Sequence, residues 1–126
     1  MCNRNCDIVG IANFAPIVNT RGCIYTHEKG IVLRSTYYVF DLYVNYLGDQ
    51  IVDSWTEDVP VKNMSVAKET ESVKQADVLV TSFSNRSGYA VAAINKQAEE
   101  ELGTFQSGMS VRLKPHSVNI IQILEK

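Results

Sequence analysis

Three cysteines and two histidines are the side chains of this chain best suited to bind a metal ion. Cys2 and Cys6 are four residues apart, as are Cys23 and His27, and on a helix that spacing puts two ligands on one face. A structural zinc site needs four such ligands, usually in two close pairs. Turn residues around the second pair predict a loop rather than a helix. We therefore predict no metal site and free cysteine thiols.

Covalent catalysis would require a Ser or Cys held against a base. His27 lies beside Glu28 in the predicted loop, and His116 lies in a Pro-containing turn. Neither of them lies near a Ser or Cys in an arrangement that the sequence can justify as catalytic. Most acidic residues fall in turns or on the polar sides of predicted strands, and the run Glu99–Glu101 is typical of a solvated turn. We predict no catalytic residue and no cofactor.

The elements that precede residue 49 are predicted to be two helices around a short hairpin. Apolar residues recur every three or four positions from Asp7 to Asn19, which predicts a helix whose last turn is broken by Pro16. Ile24–Thr26 and Ile31–Leu33 are separated by turn residues and predict a hairpin.

A second helix is predicted to begin after Ser35, a good N-cap residue, and to end before Gly48, a good C′ residue. Its apolar stripe is wider than a lone surface helix needs, and it suggests a surface that packs on another element. The stripe comprises Val39, Phe40, Tyr43, Val44, Tyr46 and Leu47.

Short strands separated by turn residues follow from Gln50 onward, the pattern of an antiparallel sandwich. The clearest hairpin pairs Val78–Phe83 with Tyr89–Ile94 across a turn that ends at Gly88. In it, Phe83 and Val91 are expected to face the interior. The predicted strands are Ile51–Trp55, Met64–Thr70, Asp77–Ser84, Tyr89–Asn95, Ser107–Leu113 and Ser117–Leu124.

Two segments carry a family resemblance. Ile11–Asn19 (IANFAPIVN) and Thr36–Tyr43 (TYYVFDLY) together resemble the segment that joins the catalytic barrel to the C-terminal domain in intracellular-type α-L-arabinofuranosidases of glycoside hydrolase family 51. The end of the chain, Leu113–Leu124 (LKPHSVNIIQIL), is similar to the end of their C-terminal β-sandwich.

The resemblance implies a mainly β fold. Residues 49–126 would form an antiparallel, jelly-roll-like β-sandwich, and residues 1–48 would contain one or two helices left over from a (β/α)8 barrel. A complete barrel takes about 250 residues, so we expect the chain to be a fragment whose partner is the missing catalytic barrel.

The family hydrolyses terminal non-reducing α-L-arabinofuranosides from arabinan or arabinoxylan with retention. Retention uses two carboxyl groups, and in the family both belong to barrel glutamates, one of them within an Asn-Glu pair. No Asn-Glu pair occurs in this sequence, so the chain alone is expected to be inactive. The resemblance allows Asn19 to be a substrate-binding residue at the rim of the active site; the alternative is that Asn19 terminates a helix.

Composition restricts the other partners. The chain has 12 Lys+Arg against 14 Asp+Glu, so no nucleic-acid partner is expected. Its apolar runs are too short to span a bilayer, and its odd number of cysteines favours the cytoplasm. The uncovered apolar stripe of the second helix predicts a homo-oligomer.

A different class of function stays open. The chain could be a stand-alone carbohydrate-binding or protein-interaction β-sandwich, because aromatic faces pack against the C–H groups of sugars. The aromatic residues considered for such a platform are Trp55, Tyr25, Tyr37, Tyr38 and Tyr89.

Overall fold

The computed structural model describes residues 2–67, 69–98 and 110–125. The chain divides into two compact units, Met1–Leu47 and Gly48–Lys126. The first unit contains the helix and one hairpin, and the second contains the remaining strands. The predicted class is confirmed: the described residues are mainly β and antiparallel, with one α-helix that precedes the larger sheet in sequence. No helix among the described residues is long and apolar enough to cross a membrane.

The first unit begins with a short 3₁₀ helix, Cys2–Asn5, and then lacks regular structure as far as Ile17. The helix predicted from Asp7 to Asn19 is therefore wrong. Its apolar periodicity is real, but Gly10 and several β-branched residues are poor helix formers and Pro16 cannot donate a backbone hydrogen bond.

A hairpin and one helix complete the first unit. Strands β1 (Ile24–His27) and β2 (Gly30–Leu33) pair in antiparallel register, as predicted. Helix α1 spans Ser35–Tyr46. Its N-cap is Arg34 rather than the predicted Ser35, and no side chain caps it; the amide of Tyr37 donates to the carbonyl of Arg34 at 2.9 Å.

The second unit contains the strands β3 (Gln50–Val52), β4 (Val61–Val66), β5 (Glu69–Lys74), β6 (Ala76–Ser82), β7 (Gly88–Asn95) and β8 (Ser117–Leu124). Four of them form an antiparallel sheet in the order β3-β6-β7-β8. A separate two-stranded sheet pairs β4 with β5.

Three of the predicted strands need correction. Ile51–Trp55 is shortened to β3, which ends at Val52. Met64–Thr70 is not one strand: it contains the end of β4, a turn at Ala67 and the start of β5. Of the predicted strand Ser107–Leu113, only residues 110–113 are described, and they contain an isolated bridge at Leu113 rather than a strand. The run Glu99–Glu101 lies outside the described residues.

The core of the second unit centres on β7. Residues on both faces of this strand are buried, Ala90 and Ala92 on one side and Val91 and Ala93 on the other. Leu79 of β6 pairs with Ala92 and shares its face. Val91 is buried, as predicted, but the opposite face of β7 is buried as well. Phe83 instead lies beyond the end of β6 and is half-buried, with the Arg86 guanidinium 3.9 Å from its ring centroid.

Two buried polar side chains stabilise the ends of this sheet. The Thr81 hydroxyl accepts from the amide of Gly48 at 2.8 Å and donates to the carbonyl of Ala90 at 3.3 Å. Asn95 donates from Nδ2 to the carbonyl of Leu113 at 3.0 Å and accepts the amide of Gln97 at 2.9 Å. Gly48 follows the C-cap Leu47, as predicted, and a Cβ there would collide with the carbonyl of Ser82.

Asp49 clamps the start of β3 to the end of β6. Its Oδ2 accepts a hydrogen bond from the Ser84 hydroxyl, and its Oδ1 accepts the Ser84 amide at 2.8 Å. The Ser84 hydroxyl, then the Ser84 amide and the backbone amide of Asp49 itself, lower the pKa of this carboxyl below its ordinary value of 3.8.

This lowered pKa predicts a pH dependence of stability. The Asp49 contribution is fully present above the ordinary pKa and is lost as pH falls through the lowered one. Asp49→Asn is expected to lower the melting temperature at neutral pH, and its difference from the unmodified chain should shrink below about pH 4. Melting curves from pH 7 to pH 2 measure both effects. Asp53→Asn is the control for loss of an exposed carboxyl; an equal pH dependence in that variant would contradict the assignment to Asp49.

Candidate functional site

The loop that contains Asn19 joins the irregular first segment to β1. Val18 forms a parallel bridge with Ile24, and the amide of Asn19 donates to the carbonyl of Ile24 at 2.8 Å. Asn19 and Thr20 both have positive φ, 57° and 42°. For the β-branched Thr20 this conformation is rare, and such outliers persist only where the surroundings hold them.

Thr26 of β1 holds the side chain of Asn19. The Asn19 Oδ1 accepts from the Thr26 amide at 2.8 Å, and the Asn19 Nδ2 lies 2.9 Å from the Thr26 Oγ1. The amide group therefore already has a donor and an acceptor partner within the chain. This arrangement anchors the loop to the hairpin. A direct contact between Asn19 and substrate stays a prediction.

Arg34 supports the same loop from the other end of the hairpin. Its Nη1 donates to the carbonyl of Thr20 at 3.1 Å, and its guanidinium carbon lies 5.6 Å from the ring centroid of Tyr25. Its amide donates to the carbonyl of Cys23 at 2.9 Å. Sequence reasoning missed both Arg34 and Thr26 as positioning residues, because no local motif marks a contact that spans the hairpin.

Gly22 and Cys23 are the buried part of this loop. A Cβ at Gly22 would collide with the carbonyl of Ile17, so only glycine fits there without a backbone shift. The Cys23 thiol donates to the same carbonyl at 3.6 Å. The thiol of Cys23 thus has a packing role within the loop.

The remaining candidate metal and acid–base residues are dispersed. Cys6 is exposed, Cys23 is buried, and both are free thiols. His27 ends β1, where its Nδ1 accepts the amide of Lys29 at 3.2 Å, and His116 occupies the turn before β8 with φ of 46°. Over the part of the chain that the structure describes, no three His, Cys, Asp or Glu side chains group as a metal site would require.

Apolar side chains on the first unit are unusually exposed. Helix α1 has no buried residue, and Val44 is 77% exposed. Phe14 packs against Phe40 with ring centroids 5.3 Å apart, which ties the irregular segment to the helix. We call the following residues the exposed apolar set: Ile8, Ile11, Ile17, Tyr38, Val39, Phe40 and Val44.

The aromatic residues considered for a sugar platform are divided between the two units. Tyr25, Tyr37 and Tyr38 belong to the first unit, and Trp55 and Tyr89 to the second. Trp55 lies between β3 and β4 and is 77% exposed. Its indole Nε1 donates a long hydrogen bond of 3.3 Å to the Glu57 Oε1.

Solved structures share this fold. The chain is similar to α-L-arabinofuranosidase from Thermotoga maritima in its arabinose complex, with 21% identity, a TM-score of 0.70, and coverage of 96% of this chain and 31% of that one. It is also similar to the thermostable family 51 α-L-arabinofuranosidase from Thermotoga petrophila, with 22% identity, a TM-score of 0.65, and coverage of 98% and 31%. The chain thus spans about a third of the length of these structures. A search of curated proteins finds no match.

The sequence comparison covers almost the entire chain. The profile of the alpha-L-arabinofuranosidase C-terminal domain family matches residues 1–123, and so includes the Asn19 loop and all of β8 except Leu124. The jelly-roll-like β-sandwich inferred from the sequence agrees with the C-terminal β-sandwich of family 51 enzymes. The chain belongs to the alpha-L-arabinofuranosidase C-terminal domain family.

Proposed function

We propose that this chain is the non-catalytic C-terminal part of an α-L-arabinofuranosidase. The whole enzyme would release terminal non-reducing α-L-arabinofuranosyl residues from arabinan or arabinoxylan with retention. The observation that carries the proposal is the family match over residues 1–123.

The length of the chain and its carboxyl groups indicate that the catalytic residues belong to another part of the enzyme. A (β/α)8 barrel takes about 250 residues, more than this chain contains. Retention needs a pair of carboxyl groups about 5 Å apart, and the Asn-Glu pair that marks one of them in the family is absent from the sequence. A catalytic barrel would therefore have to supply both groups.

The exposed apolar set supports a barrel as the partner. Large apolar side chains on a helix without buried residues usually mark an interface, and Val44 at 77% exposure lies on such a helix. We propose that barrel elements cover this set in the whole enzyme. When the chain is alone, a second copy could cover it instead, which is the basis for proposing a homo-oligomer.

The Asn19 loop is the part of this chain that we propose to reach the active site. The support is the resemblance of Ile11–Asn19 to the segment that joins barrel and C-terminal domain in the family. Thr26 and Arg34 hold the loop through side-chain hydrogen bonds. Asn19 would then be a rim residue that binds substrate or positions its neighbours. The odd cysteine count supports the cytoplasm as the proposed location.

The first test is an activity assay of the chain as it stands. The purified chain is expected to release no measurable product from an aryl α-L-arabinofuranoside, because it lacks the paired carboxyl groups that the reaction requires. Turnover that disappears on mutation of one of its own carboxyl groups would contradict the proposal.

A genomic observation separates the proposal from its alternative. If the reading frame that encodes this chain also encodes an upstream barrel with an Asn-Glu pair, the enzyme proposal gains direct support. If a long reading frame without such a barrel surrounds it, the stand-alone carbohydrate-binding sandwich becomes the better explanation.

A further inference from the structure

Trp55 is the most exposed aromatic side chain among the described residues, at 77%. A tryptophan can bury about 150–250 Å², and here most of that area faces solvent. It is the only tryptophan in the chain. It lies in the segment between β3 and β4, within the second unit, and is therefore separate in sequence from the exposed apolar set of the first.

The side chains of the segment around Trp55 alternate in exposure. Asp53, Trp55 and Glu57 are exposed, whereas Ser54 and Thr56 between them are half-buried. This alternation places Asp53, Trp55 and Glu57 on the solvent-exposed side of the segment.

Glu57 forms a hydrogen bond with the indole ring of Trp55. Its Oε1 accepts the indole N–H at 3.3 Å, which occupies the polar edge of the ring. The hydrogen bond favours one ring orientation, and the apolar face remains available for contact. An oriented aromatic face beside carboxyl groups has the chemistry of a sugar-binding surface: the ring packs on C–H groups, and the carboxylate oxygens accept hydrogen bonds from hydroxyl groups.

We propose that Asp53, Trp55 and Glu57 form a binding surface for a neutral oligosaccharide or polysaccharide chain. The acidic side chains decide between neutral and acidic sugars, because carboxylates placed beside the ring repel uronate groups. The inference rests on the proposed function only for the identity of the sugar, an arabinofuranosyl chain. It assigns to this domain a role in holding polymeric substrate, apart from the catalytic carboxyl groups.

The single tryptophan makes the binding directly observable. Titration of the chain with linear arabino-oligosaccharides is expected to shift or quench the fluorescence of Trp55 and to saturate at millimolar concentration. A fluorescence that does not change over this range would overturn the proposal. Dilution of the chain without sugar is the control: a spectral shift on dilution would show that a second protein copy covers Trp55, and would equally overturn it.

Affinity electrophoresis in gels that contain linear arabinan tests whether Trp55 contributes to binding of the polysaccharide. The unmodified chain should be retarded, Trp55→Ala should lose at least about tenfold in affinity, and Trp55→Phe should keep part of it. Met64→Ala, which removes a 47% exposed apolar side chain from β4, is the matched control and should migrate like the unmodified chain. Melting curves establish that each variant is folded, as expected for side chains that are mostly exposed.

Two further gel results decide the specificity. Retardation should be weaker for Glu57→Gln, since the amide is a poorer acceptor, and absent in gels that contain polygalacturonate. Equal retardation of Trp55→Ala and the unmodified chain, or stronger retardation by polygalacturonate, would overturn the proposal. These outcomes are independent of the arabinofuranoside assay, which probes the location of the catalytic carboxyl groups and not polymer binding.

Discussion

Replacement of Asn95 by alanine is expected to lower the free energy of unfolding by about 2–6 kcal/mol. The side chain is 1% exposed and bridges two backbone groups, the carbonyl of Leu113 and the amide of Gln97. Alanine would leave both without this partner in a place from which water is largely excluded, at a cost of about 1–3 kcal/mol each. Since domains of this kind are stable by only about 5–15 kcal/mol, the variant should be near its limit of folding.

Chemical denaturation of the chain measures this effect, and Asn63→Ala is the control. Asn63 is exposed on β4, where its Oδ1 accepts a hydrogen bond from Ser72. Replacement of the Asn63 side chain by alanine should change the free energy of unfolding by no more than about 0.5 kcal/mol. Comparable losses in the two variants would mean that burial of the Asn95 amide does not carry the stability assigned to it.

The part of the fold that the sequence predicts correctly depends on local signals. In β6 and β7 the alternation of apolar side chains and the turn glycine agree: Gly88 has φ of 144°, and Ser82 pairs with Tyr89 across the turn. Ser117–Leu124 is predicted to the residue, because a long β-branched run follows a turn that contains proline. Where the apolar pattern and the turn residues indicate the same element, the element can be predicted without knowledge of the tertiary contacts.

The wrong predictions arise where one signal acts alone. Between Asp7 and Asn19 the helical periodicity has no support from helix propensity. Around Ala67 the opposite holds: a non-glycine residue adopts φ of 58° at the turn between β4 and β5, so no glycine, proline or asparagine marks it. Both strands of that hairpin are largely exposed, and thus lack the apolar alternation that would have separated them.

The contacts of the candidate site could likewise not be predicted from local sequence signals. The resemblance singled out Asn19, but the partners that fix its loop, Thr26 and Arg34, come from β1 and from the residue before α1. They are placed by the β1–β2 register and by a hydrogen bond between residues 14 positions apart. A single sequence contains no signal for such contacts. Trp55 was identifiable as an aromatic, but its exposure and its bond to Glu57 required the structure.

Truncation of Leu79 to alanine is the second large effect, with an expected loss of about 2–5 kcal/mol in the free energy of unfolding. Leu79 is 8% exposed at the middle of β6 and lies opposite Ala92 on β7. Ala92 and its neighbour Ala90 are both small and already buried. Such small side chains cannot expand into the space that the missing methyl groups would leave, and so the cavity would persist.

Leu124→Ala is the matched control for this loss, since it removes the same atoms from the exposed end of β8. Leu124 is 46% exposed, so its truncation should cost about 1 kcal/mol or less. Parallel denaturation curves for the two variants give the difference directly. If Leu124→Ala proved as damaging as Leu79→Ala, the core of the second unit would not be centred on the β6–β7 pair, and the burial assigned to Leu79 would be wrong.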